Sequence, residues 1–154
     1  MLTQNNHYGL YGGTYTYSYS GWYYGNNSSG SNVRKVFDEN IGNLQAYTYQ
    51  YNLSIQIGTQ DGGGDYHSIV SAGTLSNRWL NLGVTVDGGT LTTYIDGIQQ
   101  TTRSVGSTFI NETKNWSFHS GFATRWAQSA IYDRALTASE VLSNFDALKS
   151  RYGY

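Results

Sequence analysis

Three glutamates, seven aspartates and three histidines are the side chains of this 154-residue chain best suited to move a proton or hold a metal. Cleaving a glycosidic bond takes two carboxyl groups facing each other across it, about 5–10 Å apart. On a strand, residues two or four apart would meet that need, but the carboxylates here are not so spaced. Glu39 follows a short apolar run, Glu112 sits in a polar loop, and Glu140 opens a helical pattern. Asp38 and Glu39 are adjacent and fall on opposite faces of any strand that carries them. His7, His67 and His119 lie far apart, without the spacing of metal ligands. Serine and threonine are so abundant that a Ser/His/Asp set could be drawn anywhere, and such a match carries no information. The absence of cysteine removes disulfides and thiolate sites. These residues point to a protein that works by contact, without catalysis and without a required cofactor.

Two groups could serve contact instead. Asp61 and Asp65 bracket three glycines, and their oxygens with nearby carbonyls are weak candidates for a Ca²⁺ site; a plain turn explains the same residues. The aromatic side chains are the larger resource, with 15 tyrosines and 4 tryptophans. Trp22 and Tyr24 alternate in phase with Thr16, Ser18 and Ser20, on a half-polar face. Trp116 lies between Asn115 and Ser117, with His119 close by. An indole beside amides and hydroxyls suits stacking on a sugar ring or an interface hot spot. Trp22, Tyr24, Tyr66, Trp116 and His119 are therefore the candidate interface or glycan-binding residues, with edge-of-core packing as the plain alternative. Seven tyrosines and one tryptophan crowd Tyr8–Tyr24, more than one buried face absorbs, so part of this surface is expected to make contacts.

The elements that must position these residues are mainly strands. Period-two alternation over Thr14–Tyr24 and over Gln45–Ile57 predicts a strand in each segment, with one face toward a core. In the second, Tyr47, Tyr49, Tyr51, Leu53, Ile55 and Ile57 form the apolar set. Val33–Phe37 predicts a short strand. Leu80, Leu82, Val84 and Val86 alternate up to Asp87-Gly88, Leu91–Ile95 returns to Asp96-Gly97, and Trp79–Arg103 reads as a three-stranded meander. Asp-Gly pairs accept the positive φ of tight hairpin turns. Val84 is assigned to the core and Thr85 to a face that would tolerate a charge. Weaker strands are expected at Tyr66–Val70, Ser107–Ile110, Asn115–Phe118 and Trp126–Tyr132. Thr137 with Glu140 forms a capping box, and Val141, Phe145, Leu148 and Tyr152 recur at helical spacing, which predicts a helix over Ala138–Arg151 stopped by Gly153.

Charge and length set the outer bounds. A net charge of −1 with 12% charged residues argues against nucleic acid. The N-terminus lacks the basic and apolar regions of a signal peptide, and no run reaches the roughly 18 apolar residues of a membrane helix. One domain over residues 1–154 is expected, with 1–13 as an extended arm.

The segment Arg78–Gln100, RWLNLGVTVDGGTLTTYIDGIQQ, resembles the signature of concanavalin A-like, laminin-G-like jelly-roll domains. There a tryptophan precedes an alternating strand, a Thr-x-Asp-Gly turn, a return strand and a Tyr-x-Asp-Gly turn. The segment IYDRALTASEV is similar to the family's closing element, and NFDALKSRYGY resembles the C-termini of such domains in bacteriophage structural proteins. The usual opening-strand motif is missing before Tyr15, and Ala127 and Gln128 stand where the family often has an acidic pair. The Glu-x-Asp-x-x-Glu strand of its glucanases is absent. The resemblance implies an all-β, antiparallel two-sheet jelly roll with one short C-terminal helix, and Trp79 as a framework residue. It further implies a non-catalytic virion component, a capsid-decoration, fibre or tail module located in the phage particle. Other copies of itself or a larger virion assembly would be the partners, with surface glycans as a further ligand. The alternative is a free-standing carbohydrate-binding lectin, and a glycoside hydrolase is a weak third reading.

Overall fold

A computed structural model describes residues 16–25, 34–39, 44–49, 52–57, 78–88, 90–104, 116–118 and 125–154. Among the described residues nine strands and one α-helix follow in order: β1 Tyr17–Gly25, β2 Arg34–Glu39, β3 Leu44–Tyr49, β4 Asn52–Ile57, β5 Arg78–Asp87, β6 Thr90–Ile95, β7 Ile98–Ser104, β8 Trp116–Phe118, β9 Arg125–Tyr132 and α1 Ala138–Asp146. They form a five-stranded sheet, ordered β7-β6-β5-β1-β9, and a four-stranded sheet, ordered β4-β3-β2-β8. Every pairing among the described strands is antiparallel. The chain is an all-β jelly roll with one short C-terminal helix. The expected meander stands as β5–β7, and its second turn carries positive φ at both Asp96 and Gly97, as the twist of a two-residue hairpin requires.

One face of the five-stranded sheet holds Tyr17, Tyr19, Tyr23, Leu80, Leu82, Val84, Val86 and Leu91, all buried. Tyr19 folds back across Gly21, where a Cβ would collide with its hydroxyl oxygen. Only glycine fits beneath that ring. Burial pushes the Tyr19 phenol far above its ordinary value, so it stays protonated.

The opposite face corrects the expectation of a half-polar surface. Ser18, Ser20, Trp22, Asn81 and Thr85 are buried there as well, Thr85 at 5% exposure. The chain after β9 crosses this face and covers it. Ser18 Oγ donates to the Arg134 carbonyl at 2.9 Å and accepts from the Leu136 amide at 2.8 Å, which pins the crossing segment to β1. Leu136 and Val141 pack with Tyr94, and Tyr132 adds to them. Gly83 makes room, since a Cβ there would meet Val141 Cγ1 at 3.3 Å.

Two further expectations change. Gln45–Ile57 is a hairpin rather than one strand, with Tyr49 paired to Asn52 across two residues. The period-two pattern runs on through the turn because both arms alternate, but the register reassigns the faces. Leu44, Ala46 and Thr48 align with Ile57, Ile55 and Leu53, whereas Tyr47 and Tyr49 align with Ser54 and Asn52. The tyrosines thus leave the apolar set in which alternation grouped them. The expected helix over Ala138–Arg151 stops as α-helix at Asp146 and tightens into a 3-10 turn at Lys149–Tyr152. Its capping box is present, and Gly153 ends the turn at φ 89°. The strands expected at Tyr66–Val70 and Ser107–Ile110 lie outside the described residues.

Candidate binding site

The covered face is a ladder of cross-strand rows. Tyr132, Ser18 and Thr85 form one row, Ala130, Ser20 and Gly83 the next, and Ala127, Trp22 and Asn81 a third. The last described row is Arg125, Tyr24 and Trp79 on β9, β1 and β5. The α-helix closes the first rows and the 3-10 turn closes the third. Trp22 is 1% exposed. It stacks on Tyr152 at 4.2 Å and on Phe145 at 5.5 Å between ring centroids, with the Tyr154 ring edge-on at 5.8 Å. Trp22 therefore cannot be the exposed contact residue expected from its serine neighbours. It is the base on which the C-terminus rests.

The covering chain ends its work at Tyr152 and Tyr154, and the last row remains half open. Tyr24 and Trp79 are partly exposed and meet edge to face at 5.5 Å. Trp79 continues to Tyr152 at 5.0 Å. Arg125 is exposed and holds its guanidinium 5.6 Å from the Tyr24 ring centroid, a cation–π contact. At the far end, Tyr154 donates to the Trp79 carbonyl at 2.7 Å and accepts from Arg78. Arg78 also pairs with Asp96 at 2.8 Å, and Asp96 accepts from the Asn81 amide at 2.9 Å. Burial and the Asp96 carboxylate push the Tyr154 phenol above its ordinary value, which keeps it a donor. Burial alone would weaken the Arg78 charge, but Asp96 and Tyr154 more than offset it and raise its pKa. The result is an aromatic ledge, Tyr24–Trp79–Tyr152–Tyr154, with an arginine at each end.

A bulge sets one of those arginines. The β1–β9 register shifts between Gly21 and Trp22, and Gln128 takes a left-handed φ of 46°. Before the bulge Ser18 faces Tyr132; after it Tyr24 faces Arg125. Without the extra residue Tyr24 would face Trp126. Bulges commonly re-aim side chains in this way.

Of the candidates named from sequence, Tyr24 lies in the ledge. Trp116 lies on β8 and pairs with Glu39 of β2. Tyr66 and His119, and the Ca²⁺ candidates Asp61 and Asp65, lie outside the described residues. Among the described residues no group of three or more His, Cys, Asp or Glu side chains could hold a metal. No described helix is long and apolar enough to cross a membrane. Sequence reasoning missed Arg78, Arg125, Tyr152 and Tyr154. The cross-strand register that gathers Arg125 depends on a bulge with no sequence mark, and the two tyrosines read only as the end of a helix.

A family model described as the concanavalin A-like lectin/glucanases superfamily matches residues 3–142. The chain belongs to that superfamily. No curated protein matches it in sequence. Solved structures with the same fold include the binding domain of Paraclostridial Mosquitocidal Protein 1, 20% identical over 86% of this chain and 37% of that one, with TM-score 0.67. The binding domain of botulinum neurotoxin DC in complex with SialylT is 17% identical over 95% of this chain and 38% of that one, with TM-score 0.73. The same toxin domain in complex with rat synaptotagmin II gives 15% identity, 88% and 36% coverage, and TM-score 0.70. The chain thus spans little more than a third of the length of those structures.

These findings overturn the phage expectations. The similar structures named above are toxin binding domains, one in complex with SialylT and one in complex with rat synaptotagmin II, not capsid, fibre or tail proteins. The virion location, and the expectation of partners drawn from a virion assembly or from further copies of the chain, fall with them. The motifs that carried the resemblance, two Asp-Gly turns, a framework tryptophan and a capped C-terminal helix, build the fold and say nothing of the particle it serves.

Proposed function

We propose that this chain is a non-catalytic, lectin-like recognition module that binds a glycan or a glycan-bearing receptor. The observation that carries the reading is the half-open ledge of Tyr24, Trp79, Tyr152 and Tyr154 between Arg78 and Arg125. Exposed ring faces take the C–H faces of a sugar, and the flanking guanidiniums supply the few fixed polar groups that orient it. The ledge is rigid, because Trp22, Phe145 and the Tyr154–Trp79 hydrogen bond hold it from beneath, so little entropy is lost on binding. The toxin binding domains with the same fold, one of them in complex with SialylT, support recognition as the kind of work such a sandwich does.

A glycan array probed with the chain and with Trp79→Ala tests the proposal. Retention of a defined set of glycans, lost in a variant whose thermal melt shows it still folded, is the expected result. Retention unaffected by Trp79→Ala would move the site elsewhere.

A further inference from the structure

We infer that the ledge selects saccharides bearing an anionic group, a carboxylate or a sulfate, and that Arg125 is the residue that reads it. This rests on the lectin reading and deepens it.

The two arginines differ in what they have left to offer. Arg78 is committed to Asp96, to Tyr154 and to the Trp79 carbonyl at 3.2 Å. Its charge is balanced by a carboxylate 2.8 Å away. Arg125 has no acidic partner among the described residues, and its recorded contact is the face of Tyr24. The ledge is therefore polarised, neutralised at the Arg78 end and positive at the Arg125 end. A guanidinium lying over a ring keeps its hydrogen-bonding edge free, in the fork geometry that carboxylates and sulfates accept with two parallel bonds. Tyr24 limits the rotamers open to Arg125, which lowers the ordering cost of that fork.

The bulge argues that this placement is built in. Gln128 holds a backbone conformation that side chains other than glycine, asparagine and aspartate seldom adopt. Its extra residue is what brings Arg125, rather than Trp126, opposite Tyr24. Adjacent strands lie about 4.8 Å apart, so the row from Arg125 to Trp79 spans about 10 Å. A sugar ring stacked on Trp79, beside Tyr24, would have its anionic substituent within reach of Arg125. A neutral sugar would leave the positive charge at this end of the ledge unbalanced.

Calorimetric titration of the purified chain with lactose, sialyllactose and sulfated lactose decides the point. The expected result is at least roughly tenfold tighter binding of one or both acidic sugars than of lactose, with the preference weakening as salt rises. The two acidic arms tell carboxylate from sulfate. Arg125→Gln should erase the preference, weakening the acidic sugars far more than lactose, and Arg125→Lys should restore only part of it. Trp79→Ala, checked for folding by its melt, should weaken all three. Equal binding of lactose and the acidic sugars, lost in Trp79→Ala, would overturn this inference and leave the lectin reading standing. An acidic preference that survives Arg125→Gln would also overturn it. Failure to bind any of the three overturns it as well, and the glycan array then decides the broader reading alone.

Discussion

Trp22 shows how far a single side chain can depart from its neighbours' character. Its strand companions Ser18 and Ser20 are polar, yet Trp22 is held between β1 and the rings of Phe145, Tyr152 and Tyr154. Trp22→Ala should destabilise the fold by about 3–5 kcal/mol, the range for emptying a buried aromatic site; a urea titration that showed less than 1 kcal/mol would contradict the packing. Ser18 is the polar counterpart. Its hydroxyl is wholly buried and answers two backbone groups of the segment that leads into α1. Ser18→Ala should cost about 1–3 kcal/mol, because the Leu136 amide would be left buried without a partner, and Ser18→Thr should not repair it if the added methyl has no room. Alternation in the sequence separated these residues from Tyr17, Tyr19 and Tyr23 correctly. It could not tell that their own face is covered, since the cover comes from residues more than a hundred positions away.

The helix α1 was legible because its signals are local. Thr137 Oγ1 accepts from the Glu140 amide at 3.3 Å and the Thr137 amide donates to Glu140 Oε2 at 2.8 Å, which closes the capping box. Arg134 adds two hydrogen bonds to the same carboxylate, at 2.7 and 2.9 Å. Arg134 and the Thr137 donors together lower the Glu140 carboxyl from its ordinary 4.5 to about 2. A carboxyl depressed in the folded state stabilises it above the unfolded value and loses that contribution as pH falls through the folded one. The melting temperature should therefore drop between about pH 4.5 and pH 2, and Glu140→Gln should flatten the drop in that window while lowering stability at neutral pH. The hairpin of β3 and β4 shows the opposite case. Both arms alternate with the same sequence phase, so Gln45–Ile57 reads as one strand, and no glycine or asparagine stands between Tyr49 and Asn52 to mark a break. The meander of β5–β7 carries them at Asp87-Gly88 and Asp96-Gly97, and there the turns were readable.

In the molecule as a whole, β1 sits between β5 and β9, joining the start of the described chain to its middle and its end. At the centre of this five-stranded sheet the residues of both faces are buried, and one of those faces is covered by the chain after Tyr132. The last residues therefore have two roles. Tyr152 seals Trp22, and Tyr152 with Tyr154 forms half of the proposed ledge while Tyr154 fixes Arg78. The roles separate in a truncated chain ending at Leu148. The loss of both tyrosines would uncover the Trp22 indole, so its fluorescence should shift to the red and the urea midpoint should fall. The strands would keep their ladder hydrogen bonds, since none of these residues belongs to a sheet, and the far-UV spectrum should stay that of a β protein. Glycan binding should fall below that of Tyr154→Phe, which keeps the ring over Trp22 and removes only the hydroxyl that bonds the Trp79 carbonyl and Arg78. If the truncated chain kept both the wild-type midpoint and the wild-type emission, the 3-10 turn would be an ornament on the sheet rather than its seal, and the ledge would lack the rigid base on which its use for recognition depends.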